Sequence, residues 1–181
     1  MFSEISEKLP DVLGDFTPGS TYSDRERWNA VPQTSRDVVV RDAEATFARA
    51  WPLITASDYR EYTQTGNRSH FEALYFTRRR MLNDLVLAEL LEAGGRFLPK
   101  IVDGIFLIAE ESGWQPPAHN AYGRGGPRLP LPDTSQPVVD LFAAETAALL
   151  ATIVALLGDA LDGISAEIAA RVEREIETRI L

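Results

Sequence analysis

Residues 101–120 read IVDGIFLIAEESGWQPPAHN, an apolar segment that ends in two carboxylates and a proline-rich loop. The isoleucines repeat every three or four residues, which predicts a helix with one buried face, while Asp103 and Glu110 fall on another. Glu110 and Glu111 lie in the last turn, where exposed carbonyls disfavour a carboxylate by about 0.3–1 kcal/mol each. We therefore expect either an arginine from a neighbouring helix or a polar site at this helix end.

The segments before this stretch also show patterns that predict helices. Residues 35–51, SRDVVVRDAEATFARAW, space apolar side chains by three and four and precede Pro52, which predicts the first long helix. A short helix is predicted from Ser57 to a TGN turn. Residues 69–93 lack glycine and proline, so they predict a long helix that begins after Asn67 and ends at a glycine pair. We interpret the arginine triplet at 78–80 as a solvated turn.

Residues 138–158, VVDLFAAETAALLATIVALLG, are apolar on nearly every face. Their uncharged run, 146–158, is shorter than the ~20 residues that span a bilayer, so we interpret the segment as a helix buried on all sides and expect no membrane association. A buried Glu145 then requires a partner, either a structural arginine or a binding site. The last segment, capped by Ser165, carries a narrow apolar stripe. Its predicted ion pairs are Glu167 with Arg171 and Glu175 with Arg179.

No segment shows the strict alternation that predicts a strand. The sequence therefore predicts an all-α protein of about five or six antiparallel helices in layers. Residues 1–34 mix short polar turns and are expected to form an N-terminal arm with one short helix, and residues 35–181 a single helical domain.

Composition narrows the function classes. In 181 residues, 45% are hydrophobic and 25% charged, which is typical of one ordinary globular core. The chain has no cysteine, which excludes disulfides, thiolate metal sites and cysteine nucleophiles. A net charge of −9 argues against nucleic-acid binding, so any anionic ligand must be met by local arginines. The acidic N-terminus lacks the pattern of a secretory signal, so we expect a cytoplasmic protein.

The loop at 113–137 contains six of the eleven prolines and a concentration of reactive side chains. Binding sites for sugars or sugar acids typically contain an aromatic ring, on which the sugar stacks, and arginines, which pair with carboxylates. A stiff connector is the alternative. The candidate residues of the loop are Trp114, His119, Asn120, Tyr122, Arg124 and Arg128.

Other chemistries have weaker support. Glu110, Glu111 and His119 could act as metal ligands, but no fixed ligand spacing exists and there are only two histidines, so no metal ion or cofactor is predicted. The nucleophile elbow and the phosphate-binding Gly-Lys-Ser/Thr loop are absent as well.

The order of several segments resembles the N-terminal helical domain of heparinase II/III-like polysaccharide lyases. The segments that carry the likeness are LAE, GRFL, EESGW, PPAHN and DLFAAETAALLA, and the likeness covers residues 28–181. It implies an incomplete α/α toroid, followed in such enzymes by further helices and a β-sandwich. These lyases cleave uronic-acid polysaccharides by β-elimination, in which a carboxylate is neutralised, a base removes the α-proton and an acid protonates the leaving oxygen.

The resemblance also assigns site residues. Trp114, His119 and Asn120 match its W…PAH(N) segment, whereas Glu111 and Glu145 match its carboxylate positions. His119 and Asn120 are expected at the wall of the cleft, Trp114 in packing or stacking, and Glu111 beside a cationic group. The neutralising Asn or His and the catalytic Tyr of similar lyases lie beyond the equivalent of Leu181, so Tyr122 is not that tyrosine.

The expected function is thus the toroid portion of a lyase that acts on an anionic polysaccharide and is inactive as this fragment. Its expected partners are the missing C-terminal helices and β-sandwich domain. One alternative is a non-catalytic helical carbohydrate-binding or scaffold protein. Another is a glycoside hydrolase that uses Glu110 or Glu111 with Glu145, whose carboxyls must lie about 5–5.5 or 6.5–9.5 Å apart across a cleft.

Overall fold

A computed structural model describes residues 19–181, and predictions for residues 1–18 lie outside that part. The described chain contains seven α-helices, a single 3₁₀ turn and no strand, so the all-α prediction is confirmed. The toroidal arrangement stays a prediction. The helices are α1 (Arg25–Asn29), α2 (Gln33–Phe47), α3 (Ala56–Thr65), α4 (Ser69–Glu92), α5 (Leu98–Ala109), α6 (Leu141–Asp162) and α7 (Glu167–Arg179), and the 3₁₀ turn is Pro117–His119.

The ends of α3 show how local chemistry sets a helix boundary. Thr55, rather than Ser57, caps the helix: its hydroxyl accepts from the Asp58 backbone N–H, and the Asp58 carboxylate accepts from the Thr55 N–H at 2.7 Å. Gly66 ends the helix with φ +79°, a left-handed conformation that favours glycine. The predicted short helix is therefore present but starts one residue before Ser57.

The turn between α4 and α5 is organised by a buried carboxylate. Glu89 is 0% exposed and accepts hydrogen bonds from the backbone N–H groups of Gly95 (2.7 Å) and Phe97 (3.1 Å) and from the Tyr22 hydroxyl (3.1 Å). Desolvation and Glu89 together raise the pKa of Tyr22. The bonds from Gly95 and Phe97 satisfy backbone donors near the start of α5, so Glu89 holds the short turn in this conformation.

The segment before α2 packs on the core. Arg25 donates to the carbonyls of Leu90 and Leu91 at the end of α4, at 2.8 and 2.9 Å. The Tyr22 backbone N–H donates to the Leu156 carbonyl in α6 at 2.7 Å. Part of the predicted arm is thereby attached to two core helices.

The predicted buried face of α5 is the centre of the core. Its three isoleucines are 0% exposed, and they pack with side chains of α4, α6 and α7. Gly104 on this helix admits the indole of Trp51, because a Cβ atom there would lie 2.6 Å from Trp51 Cη2. Asp103 and Glu110 are on the exposed side, as the spacing predicts.

Helix α6 is not buried on all sides, so that prediction is wrong. Only 33% of the residues in its most apolar 18-residue stretch are buried. The face toward the core is sealed, but the opposite face is open to solvent: Leu141 is 66% exposed and Glu145 is exposed. The exposed stripe consists of Leu141, Ala144, Glu145, Ala148, Ala151 and Thr152. Of the helices in residues 19–181, α6 is the one long and apolar enough to cross a membrane by length and composition.

Helix α7 packs through Ile168 and Val172, which are both buried. Of its two predicted ion pairs, Glu175 with Arg179 is confirmed at 2.7 Å. Arg171 instead contacts Glu175, also at 2.7 Å, so the predicted pair with Glu167 is wrong. Glu175 accepts from both arginines because all three side chains lie on one side of the helix, and these bonds lower its pKa against the effect of burial.

Candidate functional site

The carboxylate of Glu111 is buried between two arginines of α4. Its oxygens lie 3.1 Å from Nη1 of Arg78 and 2.8 Å from Nη2 of Arg79. The side chains of Glu111 and Arg78 are each 6% exposed, and that of Arg79 is 10% exposed. The expected arginine on a neighbouring helix is thus present. The solvated-turn interpretation is wrong for Arg78 and Arg79 and correct only for Arg80, which is exposed.

Further bonds hold both guanidiniums in place. Nε of Arg78 donates to the Pro52 carbonyl at 2.9 Å, and its Nη1 donates to the Leu107 carbonyl at 3.1 Å. Arg79 lies 3.2 Å from the ring centroid of Tyr75 and donates to the Thr146 hydroxyl. Burial raises the pKa of Tyr75, so its hydroxyl is neutral at physiological pH. This cluster ties α4, α6 and the end of α5 together.

A cavity of about 360 Å³ opens beside this ion pair at the end of α5, and we call it the helix-end cavity. Its floor includes Arg78 and Glu111, and Glu110 lies at its exposed rim. The polar site anticipated at this helix end therefore corresponds to a real concavity. Sequence reasoning missed Arg78 as a lining residue, because the three consecutive arginines carry no signal that separates buried from exposed members.

Trp114 and Asn120 face the protein interior. Trp114 is 1% exposed, and its Nε1 donates to the Ile108 carbonyl at 3.0 Å, so its ring serves packing. Asn120 is 0% exposed: its Oδ1 accepts from Gln115, and its Nδ2 donates to the carbonyls of Leu129 and Leu131. This amide closes the base of the loop, and neither side chain is open to a sugar in this structure.

His119 stands at the start of the loop beside α6. Its Nδ1 lies 2.7 Å from Oδ2 of Asp140, and its ring packs on Phe142 with centroids 5.1 Å apart. The other oxygen of Asp140 accepts from the Ala143 backbone N–H and thereby caps α6. The same carboxylate therefore caps α6 and lies beside the imidazole.

The loop encloses a second concavity of about 590 Å³, the loop cavity, lined by His119 and Asp140. Exposed side chains complete its wall: Tyr122, Arg124, Arg128 and Gln136. Tyr122 donates to Asp133 at 2.6 Å, which raises the pKa of Tyr122. Bonds from Ser135 and then Tyr122 lower the pKa of Asp133 to about 2. The cavity thus combines two guanidiniums with a phenol, an imidazole and an amide.

The structure distributes the predicted site residues over separate places. Glu111 lines the helix-end cavity, whereas His119, Tyr122 and Arg124 line the loop cavity. Glu145 lines a third, smaller cleft with Arg79 and Phe142. Glu145 therefore shares no cavity with Glu110 or Glu111, and the geometry offers no support for the glycoside hydrolase alternative. Across residues 19–181, no three His, Asp or Glu side chains lie close enough to hold a metal ion.

Comparison with protein-family models and with curated proteins finds no match for this sequence.

Proposed function

We propose that this chain is the helical toroid portion of a heparinase II/III-like lyase that cleaves uronic-acid polysaccharides by β-elimination. In this proposal the chain grips the acidic polysaccharide but does not cleave it. The base and the acid of the elimination come from further helices and a β-sandwich domain that act as its partners. A non-catalytic carbohydrate-binding or scaffold protein is the rival proposal.

The loop cavity is the observation that carries the proposal. Arg124 and Arg128 line it and are exposed, and a guanidinium pairs with a carboxylate or sulfate through two parallel hydrogen bonds. Tyr122 and His119 add groups that exchange hydrogen bonds with sugar hydroxyls. Since the whole chain carries −9 charge, these arginines supply the local attraction that a polyanion needs.

The open face of α6 gives separate support. Its exposed residues include Ala144, Ala148 and Ala151, whose small side chains allow another helix to approach closely. Leu141 on the same side is 66% exposed. In the proposed enzyme, further toroid helices cover this face.

Binding of acidic oligosaccharides tests the gripping role. We expect heparan sulfate or alginate oligosaccharides to bind the 181-residue chain and the double variant Arg124→Ala, Arg128→Ala to bind at least about tenfold more weakly, because the two guanidiniums supply charge-assisted bonds of about 1.5–3 kcal/mol each. The matched control is Arg41→Ala, Arg60→Ala, which removes the same charge from exposed sites on α2 and α3. Equal losses in both variants would reduce the binding to a general charge effect.

A turnover assay separates the lyase portion from its rival and from a complete enzyme. Unsaturated uronate products absorb ultraviolet light, so their formation can be followed directly. We expect no absorbance increase with the chain alone. We expect an increase when the chain is joined to the helical and β-sandwich parts of a related lyase. Absence of activity in the joined protein favours the scaffold, and robust turnover by the chain alone contradicts the proposed division of labour.

A further inference from the structure

Arg78 carries unused hydrogen-bonding capacity at the floor of the helix-end cavity. The residue is 5% exposed, and its Nε and Nη1 make three hydrogen bonds, to Pro52, Leu107 and Glu111. Its Nη2 makes no hydrogen bond to any part of residues 19–181, while the side chain lines the cavity. Two N–H donors of a nearly buried cation are therefore left for a bound group.

The charges around Arg78 favour an anion in that place. Two buried guanidiniums, Arg78 and Arg79, share the single carboxylate of Glu111. Besides burial, the charge of Asp140 contributes to the raised pKa of the nearby Tyr75, but this carboxylate caps α6 and lies 2.7 Å from Nδ1 of His119. Two buried guanidiniums that share one carboxylate leave a positive charge in excess, so a bound anion at Nη2 improves the charge balance of this cluster.

The size and walls of the cavity limit the anion. Its volume of about 360 Å³ falls in the range of small-molecule sites. Glu110 at the exposed rim repels a second negative charge, so a monoanion fits better than a dianion such as phosphate. Six of the fourteen lining residues carry larger apolar or aromatic side chains: Ile54, Tyr59, Phe71, Leu107, Leu131 and Pro132.

We propose that the helix-end cavity binds a small monocarboxylate, whose carboxylate accepts from Nη2 of Arg78 and whose ring or hydrocarbon body contacts the apolar wall. The site is distinct from the loop cavity. The inference therefore does not rest on the proposed lyase function, and either one can fail alone.

Matched pairs of probes test the proposal. Benzoate and cyclohexanecarboxylate are titrated into the ¹⁵N-labelled chain alongside their neutral amides, benzamide and cyclohexanecarboxamide, which keep the shape and remove the charge. We expect the carboxylates to bind at least tenfold more tightly and to shift amide signals of residues 54–59, 107–113 and 131–134. Equal affinity for acid and amide, shifts elsewhere, or no binding by either acid would overturn the proposal.

A pair of variants provides a control that does not disturb the ion pair. Ala56 lines the mouth of the cavity, and the adjacent Ser57 does not, although both are exposed at the start of α3. We expect Ala56→Phe to weaken benzoate binding at least tenfold and Ser57→Phe to leave it within twofold. Unchanged binding by Ala56→Phe, with the fold retained in both spectra, would place the ligand elsewhere.

Discussion

Glu111 is the residue on which the packing at the end of α5 depends. Glu111→Ala removes the one carboxylate within residues 19–181 that pairs with Arg78 and Arg79, so two buried guanidiniums lose that partner. We expect a loss of about 3–5 kcal/mol in the free energy of unfolding. The neighbouring Glu110→Ala removes an exposed carboxylate and should change stability by no more than about 0.5 kcal/mol. Urea denaturation of both variants measures the difference, and similar losses would contradict the structural role of Glu111.

Glu89 gives a second prediction at this scale. In Glu89→Gln an amide replaces a carboxylate that accepts from Tyr22, Gly95 and Phe97, so an NH₂ group faces a donor. We expect a loss of about 1–3 kcal/mol. Glu92→Gln, which alters a partly exposed pair with Arg96, should cost about 0–1 kcal/mol by the same denaturation measurement. A larger loss of stability in Glu92→Gln than in Glu89→Gln would contradict the proposal that Glu89 supports the turn between α4 and α5.

Single residues also show how far sequence reasoning extends. A carboxylate at a helix C-terminus is locally unfavourable, so a cationic partner for Glu111 could be predicted from α5 alone. Which arginine supplies it could not be predicted, because Arg78, Arg79 and Arg80 are chemically identical neighbours. Their burial depends on how α4 is rotated against α5, and the sequence pattern of α4 does not indicate that rotation.

Helical glycines of α5 and α6 provide a matched pair. Gly104→Ala places a Cβ 2.6 Å from the Trp51 ring, and we expect it to cost about 1–3 kcal/mol through overpacking. Gly158→Ala meets nothing within 4 Å and should stabilise the chain by about 0.5–1 kcal/mol, because alanine favours the helix. Thermal unfolding should therefore shift in opposite directions. A shift in the same direction would mean that the Trp51 contact does not limit the approach of the helices.

The contact between α3 and α4 predicts a pH effect. Nδ1 of His70 lies 2.6 Å from Glu61, and this hydrogen bond raises the pKa of His70, with a smaller contribution from Asp58. The contribution to stability is complete below the unfolded value of 6.5 and is lost as pH rises through the higher folded value. The pKa of Glu61 is lowered, so its own contribution is lost only in acid, below 4.5.

We therefore expect the melting temperature of the native chain to exceed that of His70→Gln at about pH 6 and the difference to vanish near about pH 9. Glu61→Gln should flatten the same pH profile, since it removes the partner of the imidazole. A difference that persists unchanged at high pH would show that His70 acts through packing alone.

The helices could be predicted from the sequence more fully than the burial of their faces. The presence of helices α2 to α5 follows from the periodicity and the breakers of each segment, but α2 ends at Phe47, before the end at Trp51 that Pro52 predicts. The burial of α6 could not be predicted, because a helix that is apolar all round has no periodic signal to distinguish its core face from the face around Ala148. The positions of α4, α5 and α7 determine which face is sealed.

At the scale of the whole molecule, the open face of α6 predicts association. An exposed apolar stripe favours contact with another surface, and we expect the isolated chain to self-associate as its concentration rises. Ala148→Glu with Ala151→Glu should weaken that association at least about tenfold, because charges would be buried in the contact. The control, Ser57→Glu with Thr63→Glu, adds the same charge on exposed α3 positions. Sedimentation velocity measures both, and equal behaviour would exclude α6 as the contact surface.

The candidate site was the least predictable part. Residues of one loop were expected in one cleft, yet Trp114 and Asn120 lie inside while Tyr122 and Arg124 stand on the open wall. The loop doubles back, since the Leu129 backbone N–H donates to the Asn120 carbonyl at 2.8 Å. Residues that are close in sequence therefore lie in different environments. Conversely, the fold brings Asp140 next to His119, although the two are far apart in sequence.

The closure at Asn120 has a consequence for how such a loop can change. Because its amide and backbone join residues 120, 129 and 131, the tip between them can vary in length without moving the helices. Lengthening a flexible segment is inexpensive, about 0.6 kcal/mol for each doubling. Insertions near Gly125 could thus alter ligand preference while the scaffold stays the same, so natural variation and directed evolution both have an accessible starting point there.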